Sequence, residues 1–412
     1  MILRHQKTAL FSLYFIYLLD LMGVVMVYVL FSPLIIDSKY SMVPSSMDST
    51  TRNTLLGILF AMYPVAQFFS APVLGDISDR IGRLKVLSIT TLLTAVFTAT
   101  TALAIHIDSI ALLFISRLFS GLCAGNLTVT QATVSSISPD DKVARNMGLF
   151  ALVGGIGWTI GPLLANVLST SSIEPFFNIA FPFWFVSGLL LLCYVLIIVS
   201  CNDIQTNKTV LSSFSLTAII KNLYSALKSK SIIHIFSCSV ITMVGWMMYQ
   251  SFLAPYLIEK YSFSKDLEGY AYAISSIFWF LGASIATYIL SRKTSPKKLL
   301  NLPLFLSGCA IIMYSFSYNP IWVWPLMAIA NLTQAIATSC FYALFAQNAA
   351  KSDQGKIFGA WNAGFALSST IGPIAAGILV NIQINLPYII SALIIIGASY
   401  YFQTVARKTC KI

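Results

Sequence analysis

Charge is what this chain has least of. Asp, Glu, Lys and Arg make up 9% of its 412 residues, against 57% hydrophobic ones. A soluble globule needs roughly 25% charged residues to cover its surface, so that class is excluded, and a mean hydropathy of +0.81 points the same way. Histidine is scarce and isolated, at His5, His106 and His234. With no nucleophile and base in a recognisable arrangement and no phosphate loop, an enzyme is not expected. The 7 cysteines (Cys123, Cys193, Cys201, Cys238, Cys309, Cys340 and Cys410) are odd in number and form no CxxC pair. They read as small apolar packing residues, with neither a disulfide framework nor a metal site. No cofactor is expected.

What the chain has instead is long apolar runs. About 20 residues of helix cross ~30 Å of hydrocarbon, and suitable runs recur near 9–36, 54–75, 86–106, 110–136, 147–168, 177–200, 232–258, 268–290, 299–317, 320–346, 356–380 and 385–405. They lack the alternation of a barrel strand, so twelve helices are expected. The first run is too long for a signal segment and is read as a retained span. The net charge of +11 is not a nucleic-acid signal. Lys and Arg crowd the N-terminus, the 2–3, 4–5, 8–9 and 10–11 loops, the middle segment and the tail. Lys39, Arg52, Lys260 and Lys265 fall on the other side, and Arg117 inside a span. That bias predicts both termini in the cytoplasm. The polar stretch 37–53 is then an external loop, without a functional reading.

Between spans 6 and 7 lies a polar, basic segment with apolar positions at helical spacing over 214–227, read as an amphipathic helix on the cytoplasmic surface. The chain divides into a six-helix bundle over 1–200, this linker over 201–230 and a second bundle over 231–412. The bundles repeat. "RNMGLFALVGGIGWTIGPLLA" from 145 aligns with "KIFGAWNAGFALSSTIGPIAA" from 356, pairing Arg145 with Lys356, Gly148 with Gly359 and Gly161-Pro162 with Gly372-Pro373 at one constant offset. Parallel halves of this kind are a transporter architecture with substrate bound near the midplane between them. A second match, "GNLT" at 125 and "ANLT" at 330, breaks that register and is set aside.

The charges concentrate in "GDISDRIGRLK" at 75–85, read as a tight turn between spans 2 and 3, with Gly75 and Gly82 for close backbone approach. Asp79 is placed near the N-terminal end of span 3, where the helix dipole favours a carboxylate. The fourth span carries Arg117, Gly121 and Gly125 on one face. A buried arginine is costly, ~2.5–3.5 kcal/mol on insertion scales, and should meet a polar cavity or a partner. The fifth carries Gly154, Gly157, Gly161 and Pro162, a smooth face ending in a bend.

Taken together, these stretches resemble the signatures of the major facilitator superfamily: the 2–3 loop motif, the R-x-x-x-G-x-x-x-G element of the fourth span and the G-x-x-x-G-P element of the fifth. The last marks the drug:proton antiporter branch, similar to tetracycline and bicyclomycin exporters, although Ala165 and Asn166 stand where that motif closes with two glycines. The resemblance implies an all-α fold of twelve transmembrane helices in two pseudo-symmetric bundles. It implies a cytoplasmic latch at Gly75, Asp79, Arg80, Gly82, Arg83 and Arg145, and a role for Arg117 in proton coupling. It also implies a glycine-proline packing element at Gly157, Gly161, Pro162, Gly372 and Pro373, with the fifth span packed on a partner in the second half. The second-half loop "LSRKTSPKK" at 290 keeps only basic charge, so the first half holds the single functional latch.

Of the 14 acidic residues, Asp20 alone is central in a span. Burial disfavours a charged carboxylate, so Asp20 is the expected proton carrier, with Arg117 tuning it or competing for it; a fixed Asp20–Arg117 ion pair is the alternative. Asp20 and Gly23 also resemble the D-x-x-G opening of those exporters' first span. For substrate, Trp246, Tyr249 and Gln250 share one helix face, as do Asn331 and Gln334, and Gln131, Trp361 and Asn362 are added to them. With no acid central in a second-half span, neutral, zwitterionic or anionic substrates fit best. The expected protein is a monomeric inner-membrane efflux transporter of a small amphiphilic compound (drug, siderophore or metabolite). A proton-coupled importer and a non-transporting receptor or scaffold are the alternatives.

Overall fold

The computed structural model of the protein describes residues 2–37, 40–124, 126–139, 142–170, 177–201, 229–348 and 354–406. These form helices and connecting turns, and twelve helical stretches among them are long and apolar enough to cross a bilayer. The expected surface helix over 214–227 and the position of Gly125 lie outside the described residues, as does the Asp79 side chain.

The chain forms two compact units, one of Met1–Leu34, Ser38–Pro44 and Met62–Phe214, the other of Ile35–Asp37, Ser45–Ala61 and Ser215–Ile412. The first holds α1 (Ile2–Ile36) up to Leu34, most of α2 (Ser49–Ile81), α3 (Arg83–His106), α4 (Ile110–Cys123), α5 (Asn126–Ile137), α6 (Val143–Leu168) and α7 (Phe181–Cys201). The second holds the start of α2 with α8 (Lys230–Ser251), α9 (Leu253–Tyr261), α10 (Lys265–Leu281), α11 (Thr287–Ser291), α12 (Pro296–Leu299), α13 (Asn301–Phe316), α14 (Val323–Asn348), α15 (Gln354–Leu379) and α16 (Leu386–Tyr401).

Helix faces are sorted by packing, since both faces are apolar and lipid is as oily as the core. In α7, Phe183, Val186, Leu190, Cys193 and Ile197 are buried at three- and four-residue spacing, while Leu192, Val195 and Val199 are exposed. The buried stripe meets α3, where Ser187 Oγ donates to the Ala95 carbonyl at 2.8 Å. Such a bond satisfies a hydroxyl that hydrocarbon cannot.

Three expected spans are interrupted. The fourth is α4 followed by α5, broken beside Ala124. The seventh stops at Ser251 and resumes as α9 after Phe252, and Pro255 sits in the first turn of α9, where its missing N–H costs nothing. The eighth passes through a π turn over Gly282–Ala286, where Thr287 Oγ1 donates to the Gly282 carbonyl at 2.7 Å. Here Gly282 lies directly against the Leu332 carbonyl of α14.

The repeat seen in the sequence has a structural counterpart inside each unit. In the first, Gly161 of α6 rests on α1, a Cβ there coming to 3.2 Å from Met22 Cα. In the second, Gly372 of α15 rests on α8, a Cβ coming to 2.6 Å from Met247 Cβ. Matched glycines thus seat matched helices within their own unit, on α1 in the first and on α8 in the second.

Candidate functional site

Asp20 lies in the middle of α1, half-buried, with Oδ1 fully shielded and making no hydrogen bond. Its helix is gripped from one side. Cβ atoms on Gly154, Gly157 and Gly161 of α6 would come to 2.6 Å from Tyr17 Oη, 3.1 Å from the Leu18 carbonyl oxygen and 3.2 Å from Met22 Cα. Leu18 and Met22 bracket Asp20 in the chain, and two residues of helix turn about 200°. The glycine face therefore presses on the side of α1 away from Asp20. The resemblance implies a partner in the second half for this face; the contacts these glycines make run to α1 of the same unit.

On its own side Asp20 is within electrostatic reach of Tyr63 of α2, Cys123 of α4 and Cys193 of α7, and next to the amide of Asn126 of α5. Arg117 is buried one step further on. Its guanidinium carbon lies 4.9 Å from the centroid of Tyr63 and 5.7 Å from that of Phe31, an aromatic rather than acidic seat. Asp20 and Arg117 form no ion pair, and Arg117 Nε makes no hydrogen bond. The fixed pair is thereby overturned in this state; Tyr63 stands within reach of both groups. Gly121, one turn beyond Arg117, allows this, because a Cβ there would strike the Tyr63 carbonyl oxygen and approach Ala66 Cβ at 2.7 Å.

The 75–85 stretch is helical rather than a turn. α2 runs through it to Ile81, and Gly82 alone, at φ 103°, separates it from α3. Asp79 consequently ends α2 instead of starting α3, where the dipole opposes a carboxylate. The local pattern explains the continuity: Asp76 and Arg80 are four residues apart and pair at 2.8 Å. Gly75 is not needed for close approach, since a Cβ there meets nothing within 4 Å. Arg83 donates from Nη1 to the Ala132 carbonyl at 2.8 Å, tying the start of α3 to α5. Arg145 is exposed at the start of α6, near Tyr14, whose hydroxyl donates to the Asn146 carbonyl at 3.1 Å.

In the second unit the structure gathers some of the expected substrate residues and separates others. Trp246 and Tyr249 of α8 are buried 5.1 Å apart, Trp246 also meeting Trp279 at 5.3 Å. Tyr249 touches Tyr314 and Tyr388 at 5.9 and 6.0 Å. The Tyr249 and Tyr314 hydroxyls, Gln250 Oε1 and both amide atoms of Gln334 are buried without a hydrogen bond. Asn331 is satisfied within its own helix, donating to the Met327 carbonyl at 2.9 Å. Trp361 belongs to another cluster, with Phe341, Tyr342 and Phe345, and its Nε1 donates to Tyr342 Oη at 2.7 Å. Asn362 is half-buried; Gln131, also half-buried, belongs instead to α5 of the first unit.

Sequence reasoning missed several members. Tyr314, Tyr388 and Tyr256 come from three helices, and nothing local marks them as neighbours. Glu268 is buried at the start of α10; its signal was the polar stripe Glu268, Tyr272, Ser275 at helical spacing. Lys260 of α9, beyond the seventh span, donates to Tyr256 Oη at 2.6 Å and the Ser315 carbonyl at 2.7 Å, and burial lowers its pKa from the usual lysine range.

A family model described as Major Facilitator Superfamily matches residues 13–360 and 235–409. The chain is 21% identical over 335 residues to "Tetracycline resistance protein, class E" of Escherichia coli, covering 78% of each. It is 22% identical over 343 residues to "Quinolone resistance protein NorA" of Staphylococcus aureus, covering 81% of this chain and 82% of that one. Its fold is similar to that of a D-xylose-proton symporter, with TM-score 0.80 at 13% identity over 98% of this chain and 99% of that one. It is similar too to the human organic anion transporter MFSD10, with TM-score 0.71 at 16% identity over 97% and 99%. With twelve spans, two repeated units and a match that runs nearly end to end, the chain belongs to the major facilitator superfamily, whose members are membrane transporters and not enzymes.

Proposed function

We propose that this transporter couples proton influx to the efflux of a small amphiphilic compound, a drug, siderophore or metabolite, by alternating access. The observation that carries the reading is Asp20: a half-buried carboxyl with one oxygen fully shielded, free of any ion pair, in a helix held rigidly from behind. A carboxylate locked to an arginine could not cycle at a useful pH, whereas an unpaired one in a poorly solvated site can. Arg117, on its aromatic seat, tunes the field around Asp20 through Tyr63. The drug-resistance names of two relatives support efflux.

In this reading Gly75, Asp79, Arg80, Gly82, Arg83 and Arg145 form the latch, and Gly157, Gly161, Pro162, Gly372 and Pro373 keep matched helices seated. Tyr249, Gln250, Gln334 and Trp246 are the leading substrate contacts, since four of their polar atoms are buried without partners. Asn331, Gln131, Trp361 and Asn362 are weaker members of the set. The protein acts as a monomer in the inner membrane with both termini cytoplasmic, powered by the proton gradient and binding no nucleic acid.

The test is flux in inverted vesicles, with tetracycline and a fluoroquinolone as probes. Accumulation inside vesicles with an acidic lumen, abolished by Asp20→Asn, is expected. Accumulation only under the reversed gradient identifies a symporter that imports its substrate.

A further inference from the structure

Asp20 has one more buried neighbour, on α5. Asn126 opens α5, is 1% exposed, and its Nδ2 makes no hydrogen bond. Its Oδ1 accepts from the Thr90 hydroxyl of α3, and its amide is the group that acts on the Asp20 carboxyl as a hydrogen-bond donor. The two are neighbours without a closed bond: Asp20 Oδ1 and Asn126 Nδ2 are both shielded and both unpaired. They are a donor and an acceptor, each costly to leave bare, on neighbouring side chains.

We propose that Asn126 is the positioning partner of the Asp20 carboxyl in both of its protonation states, with Thr90 setting which end of the amide faces it. This rests on Asp20 being the proton carrier. An amide has a donor end and an acceptor end, and a hydroxyl can serve as either. With Asp20 ionised, Thr90 donates to Asn126 Oδ1, and Nδ2 donates to the carboxylate. With Asp20 protonated, Thr90 turns its proton to the Val86 carbonyl, already 2.8 Å away. The amide then rotates half a turn, Nδ2 donates to Thr90 Oγ1, and Oδ1 accepts the carboxyl proton. No covalent bond changes, and the one particle gained is the proton on Asp20. A leucine or alanine at 126 would take away both that donor and that acceptor.

The other groups facing Asp20 are Tyr63 of α2, Cys123 of α4 and Cys193 of α7, with Arg117 of α4 beyond Tyr63. The Gly154–Gly161 face of α6 brings no titratable side chain. The Tyr63 hydroxyl and the two thiols could also donate and accept, but among the neighbours that face Asp20 directly Asn126 is the one with a buried nitrogen or oxygen donor that makes no hydrogen bond.

The test is an infrared titration of the purified protein in lipid, which follows the Asp20 carboxyl C=O band, assigned as the band lost in Asp20→Asn. A charge-assisted bond is roughly twice as strong as a neutral one, so removing it hurts the ionised form more. In Asn126→Ala and Thr90→Val the midpoint pH of the band is expected to rise by about half to one unit, and in Asn126→Ala the band moves to the higher frequency of an unbonded carboxyl. Thr90→Ser, which keeps the hydroxyl, should titrate with the parent. Parent-like midpoints in both Asn126→Ala and Thr90→Val overturn the proposal. If Asn126→Ala does not fold, the Thr90→Val and Thr90→Ser pair decides it. Asp20 failing as carrier looks different: Asp20→Asn then retains gradient-driven flux, or removes no band, whatever happens at 126.

Discussion

Arg117 and Tyr63 meet face to face, the guanidinium carbon 4.9 Å from the ring centroid, with the next turn of the arginine's helix pressed through Gly121 onto the Tyr63 backbone. The cation is held by π-electrons in a site with no acid paired to it. A desolvated cation–π contact is worth about 2 kcal/mol. Tyr63→Leu should therefore lower the melting temperature of the purified protein and weaken proton coupling, while Tyr63→Phe, which keeps a face, retains most of both. Equal losses in the two variants would show that the hydroxyl, not the face, matters.

The glycine seats have little room to yield, because their nearest neighbours are backbone atoms and the Cβ atoms fixed to them. Gly161→Leu and Gly372→Leu push against Met22 and against Met247–Met248, and overpacking of this kind costs about 1–3 kcal/mol. Each should reduce thermal stability and transport together. In the 75–85 stretch the two glycines should part company: Gly82→Ala, at φ 103°, strains the backbone by about 1–2 kcal/mol, while Gly75→Ala, with open space around it, is neutral or slightly stabilising through helix propensity. Transport assays on this pair separate a backbone requirement from a packing one.

The membrane itself makes much of the fold legible. Lipid forces runs of about 20 apolar residues into helices, so span number and the two-unit repeat can be read directly. Asp20 and Arg117 stand out for the same reason, as charges where charges are expensive. Whether they pair is not a one-dimensional property, since Tyr63 of a third helix offers the guanidinium its ring instead. The continuity of α2 through 75–81 was hidden because a charged helix end and a charged loop have the same composition at a membrane surface. Asn126 sat in a tetrapeptide whose apparent repeat fell out of register, and its importance comes from Thr90 and Asp20, neither close to it in the chain.

Asp48 offers a pH test at the start of α2. Its Oδ2 accepts from the Thr51 N–H at 3.0 Å and its Oδ1 from the Thr51 hydroxyl at 2.7 Å, and these bonds hold its pKa below the usual carboxylate value. A depressed folded-state pKa means the cap is fully effective above the ordinary carboxylate pKa and is lost as pH falls through the lowered one. The protection factor of the first turn of α2, which is the intrinsic exchange rate at each pH divided by the observed one, should be high and flat at neutral pH and fall only in strong acid. Asp48→Ala should show low protection at all pH values, and Asp48→Asn, still a good cap, should stay protected in acid.

Gln334 separates binding from folding most sharply. Both atoms of its amide are buried in α14 without a hydrogen bond, and an unsatisfied buried polar group costs about 1–3 kcal/mol. A side chain kept at that cost for packing alone gains from being replaced by an apolar one of similar volume. Gln334→Met should accordingly raise the melting temperature of the substrate-free protein. If the amide is there to meet substrate, the same variant should lose transport of whichever probe the wild type moves, and the stabilisation that substrate gives the wild type should shrink in the variant. More stable and less active is the signature of a binding residue; more stable and equally active would assign Gln334 to packing and leave Tyr249 and Gln250 as the polar contacts of that unit.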